Sequence, residues 1–343
     1  MSRKHRIVVG SILLALVLVA STAVGCGPKE PDAVTWRLHT ISAEGEKEVD
    51  YMQHIVDEVK AQTGGRFIIE IFPGGALGYS EEDVLRVMSQ DAVEIAHSFN
   101  SRVAGDEPLA TVSEIPFLAT KPADVEALNR AVKPMWDEIL ADWNGMLLSN
   151  WSSYLAPLTA TREVATVEDW QDLKIRTQSA TMSTVIELMG AVPVSVPFSE
   201  AYSASATGIV EGHFWSPGTI FSMKMFELCD YMNYWSAMAF GSGLIVNTTA
   251  FNQLPEDYQN ALLNAAEKWE PWIWETEFWS AEEDIAELEA TGQIEMVQVS
   301  DQEKIKAAEM ISPVYDEWLK NAGPDGLKWL NVMLATVGKA AYQ

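Results

Sequence analysis

Two cysteines, Cys26 and Cys229, are all the thiols in a chain of 343 residues, so no disulfide framework staples the fold and no CxxC redox or zinc pair exists. Catalytic spacings are missing too. No HExxH, no GxSxG and no glycine-rich GK[ST] loop occurs, which removes the helical zinc protease, the hydrolase elbow and the P-loop NTPase. Positive charge is scarce: 23 Lys and Arg face 49 Asp and Glu, for a net charge of −26. A field of that sign repels nucleic acid and anionic lipid headgroups. Low-complexity tracts, internal repeats and long flexible linkers are also absent.

The first apolar run is short. Arg3, Lys4 and Arg6 precede Ile7–Ala20 and then Ala23-Val24-Gly25-Cys26, the pattern of an export signal rather than of a comfortable spanning helix. Small residues ending at Cys26 have the form of a lipobox, so residues 1–25 are expected to be removed and Cys26 to carry lipid. The expected location is periplasmic or extracytoplasmic, with a membrane anchor at Cys26. An ordinary signal peptide cut nearby is the alternative. Removing 25 of the 343 residues leaves 318, enough for two domains with real cores. The chain supplies 13 Trp, 11 Phe and 9 Tyr to fill them, most being core by default.

Periodicity gives an alternating pattern of strand and helix. VTWRLHT (34–40) alternates like a strand, and Val49, Met52, Val56 and Val59 follow at helical spacing. Thr63-Gly64-Gly65 stops that helix, RFIIEIF makes a second strand, and a helix opens near Ser80 with acids in its first turn. A strand at 93–96 closes the first set. After Trp151 come LKIRT as strand, 180–189 as helix, AVPVSV as strand, FSEAYSASA as helix and GIVEG as strand. These repeats predict an α/β fold of two parallel layers sharing crossing strands, with binding at the strand carboxyl ends. Residues 256–290 read as a Trp-rich helix that Pro271 should kink or divide. Helices at about 301–321 and 325–341 finish the chain.

"DLKIRTQ" (172–178) poses the central chemical question. Leu173 and Ile175 point to one side of the strand and Lys174 and Arg176 to the other, placing a guanidinium beside apolar neighbours. Three histidines, His39, His97 and His213, fall at predicted strand ends, where side chains converge on a crevice. Their spacing carries no ligand-set signature, so hydrogen bonds to a ligand or to water are expected, with no metal and no cofactor.

The series "TGGRFIIEIFPGGALG", "VEIAHS", "EIPFLAT", "DLKIRTQ", "GAVPVSVPFSEAYSASATGIVEG" and "NTTAFNQLP" resembles the substrate-binding proteins of TRAP (tripartite ATP-independent periplasmic) transporters, the DctP-like family. The resemblance implies a two-lobed, periplasmic-binding-protein-like fold with a hinge and a helical C-terminal tail. The implied lobes are 33–156 with 248–280, and 157–247, with helices of 281–343 packing across both. It implies a binder of a small organic acid, not an enzyme, that delivers its ligand to the TRAP permease membrane subunits. It also implies that Arg176 forms a two-point salt bridge with the ligand carboxylate and that Phe198 lies beside the ligand. A planar guanidinium suits that task; Asp172 or Glu200 is the alternative partner within the chain.

Departures from the family pattern bear on the ligand. Relatives carry a second arginine in a "GfR" stretch, where "WSSYLAPLT" places Ala156, and an asparagine after "vvDG", where "IVEGHFW" places Trp215. Together with Phe198 these changes exchange polarity for apolar surface. Such walls stabilise a ring or branched alkyl group by roughly 25 cal/mol per Å², whereas a second carboxylate without its own cation costs several kcal/mol. The expected ligand is therefore a monocarboxylate of apolar or aromatic character. Trp151 and Tyr154 extend the wall or pack in the core, and Asn100 is a candidate partner for a hydroxyl or oxo oxygen. The rival readings are a ligand-binding module for a sensory receptor and an exported hydrolase using carboxylates.

Overall fold

A computed structural model describes residues 32–177 and 179–343. Two sheets dominate it. The first has the order β2-β1-β3-β10-β4, with β1 at Val34–His39, β2 at Phe67–Phe72, β3 at Ile95–Phe99, β4 at Gly145–Ser152 and β10 at Gly241–Asn247. The second runs β11-β9-β5-β8-β6-β7, from β5 at Leu158–Ala160, β6 at Lys174–Thr177, β7 at Val192–Ser195, β8 at Gly212–Phe214, β9 at Tyr231–Asn233 and β11 at Glu295–Val297. Helices surround both: α1 (Lys47–Gln62), α2 (Val84–Ser89), α3 (Asn100–Val103), α4 (Pro122–Ala131), α5 (Lys133–Asp142), α6 (Ala180–Leu188) and α7 (Ala201–Ala206). The rest are α8 (Pro217–Ser222), α9 (Thr248–Gln253), α10 (Glu256–Thr291), α11 (Asp301–Met310), α12 (Val314–Asn321) and α13 (Gly326–Thr336).

The opening elements form as their sequence dictates. In α1 the buried residues are Tyr51, Met52, Ile55, Val56 and Val59, a stripe on one helical face that covers the first sheet. Thr63 ends the helix by bonding backward, Oγ1 to Val59 O at 2.8 Å, and accepts from Phe67 N at 3.1 Å. Gly64 and Gly65 take φ of 60° and 77° there, a region other residues enter at a cost. The chain is thereby turned straight into β2.

Five expectations are corrected. The sheets are mixed: β1 and β3 are parallel, but β10 enters antiparallel between β3 and β4. The 241–247 strand therefore pairs in the first sheet, outside the 248–280 stretch assigned to that lobe, because its apolar residues match two buried neighbours at once. The GIVEG strand is displaced to Gly212–Phe214, since Gly208 adopts φ 72° and prolongs the turn. Pro271 does not divide α10, which runs unbroken for 36 residues; packing against α1 and α8 along its length offsets the one lost backbone bond. Pro313, by contrast, separates α11 from α12.

Two segments cross between the sheets and pair with each other. Ser153 N donates to Phe240 O at 2.9 Å and Ala156 N to Met238 O at 2.8 Å. The long helix α10 packs on α1 beside the first sheet and on α8 beside the second. No helix among the described residues is long and apolar enough to cross a membrane. Cys26 and the whole 1–25 segment lie outside the described residues.

Candidate functional site

Arg176 lies at the carboxyl end of β6, between β7 and β8. Lys174, on the same face of the strand, is exposed, whereas Arg176 is only 5 % exposed. Two residues of rise along the strand carry the side chain from the rim into the interior. Its Nε donates to Val196 O at 3.0 Å, and its guanidinium carbon stands 5.5 Å from the centre of the Trp215 ring. Burial, and then the like charge of Arg102, push its pKa down to about 10. The group stays a cation at neutral pH, held largely out of water by burial.

A wall of rings adjoins it. His213 stacks on Trp215 at 4.5 Å, and Phe198 meets that indole edge-on at 5.3 Å. Trp215 is 5 % exposed and belongs to the second sheet's apolar core with Ile220, Met225 and Cys229, whereas Phe198 is 45 % exposed. His213 exchanges a hydrogen bond with Ser205, Nε2 to Oγ at 2.6 Å, while its Nδ1 is buried without a partner. Burial, aided by the charge of Arg176, pushes this imidazole down to about 3. Arg176, His213, Trp215 and Phe198 thus form one contiguous group.

The remaining candidates lie on the first sheet, at its edge or in the crossing segment. His97 is held from both sides, by Thr40 Oγ1 at 2.9 Å on Nδ1 and by Ser242 Oγ at 2.5 Å on Nε2. It stacks flat on Trp151 at 5.4 Å, and burial pushes it down to about 3. Trp151 is 1 % exposed and meets Tyr51 edge-on, so it packs in the interior of that sheet's lobe. His39 is fully buried with Tyr79 edge-on to its ring at 5.8 Å. Asn100 packs its amide over Gly241, where an added Cβ would stand 2.2 Å from Nδ2. It also lines a small cavity with Ser98, Trp136 and Asn150. Tyr154 is half-buried, its hydroxyl pushed up by burial and by Glu282 of α10.

One charged residue escaped the sequence reading. Arg102, on α3, carries a positive charge that reaches Arg176. A second guanidinium therefore does stand near the first, although none occurs at the family's usual position. It has partners within the chain: Nε lies 3.1 Å from Glu81 Oε2 and Nη1 3.8 Å from Glu82. Glu81 is 3 % exposed, and burial pushes its carboxyl up to about 7 against the pull of Arg102. The available signal was its position, two residues beyond Asn100 at the end of β3. Among the described residues no group of three His, Cys, Asp or Glu is placed to hold a metal ion.

Comparison with known proteins gives the family of the chain. The family model for bacterial extracellular solute-binding proteins, family 7 (DctP), matches residues 38–321. The ectoine/5-hydroxyectoine-binding periplasmic protein UehA of Ruegeria pomeroyi is 23 % identical over 95 % of this chain and 96 % of its own. The C4-dicarboxylate-binding periplasmic protein DctP of Rhodobacter capsulatus is 24 % identical over 77 % of this chain and 80 % of its own. Among solved structures, DctP7 of Bordetella pertussis, an extracytoplasmic solute receptor binding pyroglutamic acid, superposes with a TM-score of 0.78 at 26 % identity. That match covers 88 % of this chain and 99 % of the other.

Proposed function

Since the chain belongs to the bacterial extracellular solute-binding proteins of family 7, TRAP receptors rather than enzymes, we propose that it captures a small monocarboxylate through Arg176. The observation that carries this reading is the buried guanidinium itself. A planar guanidinium at 5 % exposure, with an indole ring centre 5.5 Å away, matches a ligand carboxylate with two parallel hydrogen bonds in a partly dry setting. Trp215 and Phe198 would receive the ligand's apolar body, with Tyr154 beside the crossing segments and Asn100 near an oxygen. Pyroglutamic acid, the ligand of the Bordetella receptor, has the required single carboxylate and small ring.

Release of the unchanged acid to a TRAP permease completes the role. Closure of the two lobes strengthens the ion pair by excluding water and presents the loaded form to the permease. Lipidation of Cys26 would hold the receptor at the membrane; mass spectrometry of the mature chain tests it, and an N-terminus lacking acyl groups refutes it. The ligand assignment is tested by calorimetric titration against a panel of organic acids. Arg176→Ala should weaken the best acid by about 3–5 kcal/mol, as expected for breaking a buried charge pair. Equal binding by the variant removes Arg176 from the site.

A further inference from the structure

We propose that His39 reads an uncharged polar group on the ligand, so that the receptor selects monoanionic acids bearing a hydroxyl, oxo or amide function and rejects dianions. The inference rests on the assignment of Arg176 to the carboxylate and adds what lies at the other end of the ligand.

His39 ends β1, beside β3 in parallel register, with His39 opposite Ala96. In open α/β layers ligands bind beyond the carboxyl ends of such strands. The side chain is 0 % exposed, and neither Nδ1 nor Nε2 has a hydrogen-bond partner. A buried polar atom left unpaired costs about 1–3 kcal/mol, and here two share one ring. The neighbouring His97 shows the contrast, since Thr40 and Ser242 satisfy both of its nitrogens. His39 is the imidazole left over.

Its chemistry narrows the ligand. Burial lowers the pKa of His39, so the ring is neutral and offers one N–H donor and one bare nitrogen acceptor. A hydroxyl, an amide or an oxo group can meet one or both. A carboxylate cannot be stabilised by a neutral ring as it is by a cation. Arg102, whose charge reaches Arg176, already has Glu81 at 3.1 Å and Glu82 at 3.8 Å. A second ligand carboxylate would therefore be desolvated without a counter-charge, at a cost of several kcal/mol.

The test compares acids that differ in a single polar group: mandelate with phenylacetate, and pyroglutamate with cyclopentanecarboxylate. Succinate serves as the dianion. Wild-type receptor should favour the polar member of a pair by about tenfold, the worth of one buried hydrogen bond. In His39→Leu that ratio should fall below about threefold, and His39→Asn, which keeps a donor and an acceptor, should restore most of it. Should His39→Leu not fold, ring-nitrogen chemical shifts of His39 in the wild type read the same bond. They should move with mandelate and not with phenylacetate. An unchanged ratio in His39→Leu, or succinate binding more tightly than every monoacid, overturns the proposal while leaving Arg176 in place. Binding of none of these acids by wild type overturns both.

Discussion

Two buried histidines are neutral where their type allows charge, while Arg176 stays a cation. His97 and His213 are pushed down to about 3 by burial, and Arg176, even lowered to about 10, keeps its proton at neutral pH. Neither imidazole of this pair changes charge between roughly pH 5.5 and 8, whereas Glu81, the partner of Arg102, is pushed up to about 7. Acid affinity should therefore rise modestly as pH falls through about 7 and not change further from a histidine; titrations at three pH values check this, and affinity that falls on acidification would contradict it. The buried thiol of Cys229, pushed up to about 12 by burial, is likewise unreactive until the chain unfolds. Strand alternation singled out Arg176 in the sequence, and the family resemblance singled out Phe198 and Trp215; the structure brings the three side chains together. The balance between Arg102 and Glu81 was not legible, because 21 residues of chain separate the two and their meeting depends on how α3 docks beside the 81–83 turn.

Between elements, the most revealing approach is at Gly218. Lys47 opens α1 and pairs with Asp284 of α10 at 2.9 Å, and both reach the start of α8. A Cβ at Gly218 would lie 2.6 Å from Asp284 Oδ2 and 3.5 Å from Lys47 Nζ. Helices belonging to the two sheets' lobes therefore meet through α10 at a point that only glycine permits. Gly218→Ala should push the carboxylate aside, lengthen the ion pair and favour separation of the lobes. Ligand release should quicken by about threefold to tenfold, a surface pair plus a modest clash being worth on the order of 1 kcal/mol. Stopped-flow dissociation reads this, and an unaltered rate would mean that the contact does not bear on closure. Periodicity located α1 and α10 correctly. It could not tell that α10 survives Pro271, because the interruption is local whereas the compensating contacts come from α1 and α8.

The whole molecule combines two opposed proton linkages. Glu81 and Glu277 are pushed up to about 7 and Glu114 to about 8, from 4.5, chiefly by burial. The folded form then holds extra protons between those values, so their contribution to stability is complete below 4.5 and is lost as pH rises to about 8. His97 and His213 fall from 6.5 to about 3. Here the unfolded chain holds the extra protons, and stability is lost as pH falls from 6.5 toward 3. Three carboxyls against two imidazoles place the maximum near about pH 5, and the self-repulsion of a chain with net charge −26 acts in the same direction. Thermal unfolding should show the highest Tm there and a decline toward pH 8. A maximum above pH 7 would contradict these burial assignments.

The sequence by itself determined the periodic elements, the acidic surface, the turn at Gly64-Gly65, and which side chains had the chemistry to hold an acid. Each of these follows from neighbours within a few residues or from residue type alone. Only the tertiary structure decided that β10 inserts into the first sheet, that Arg102 meets Glu81 and Glu82, and that His39 is left unpaired while His97 is satisfied. Those outcomes depend on desolvation and on contacts between segments far apart in the chain, and such energies come into being only when the chain is packed.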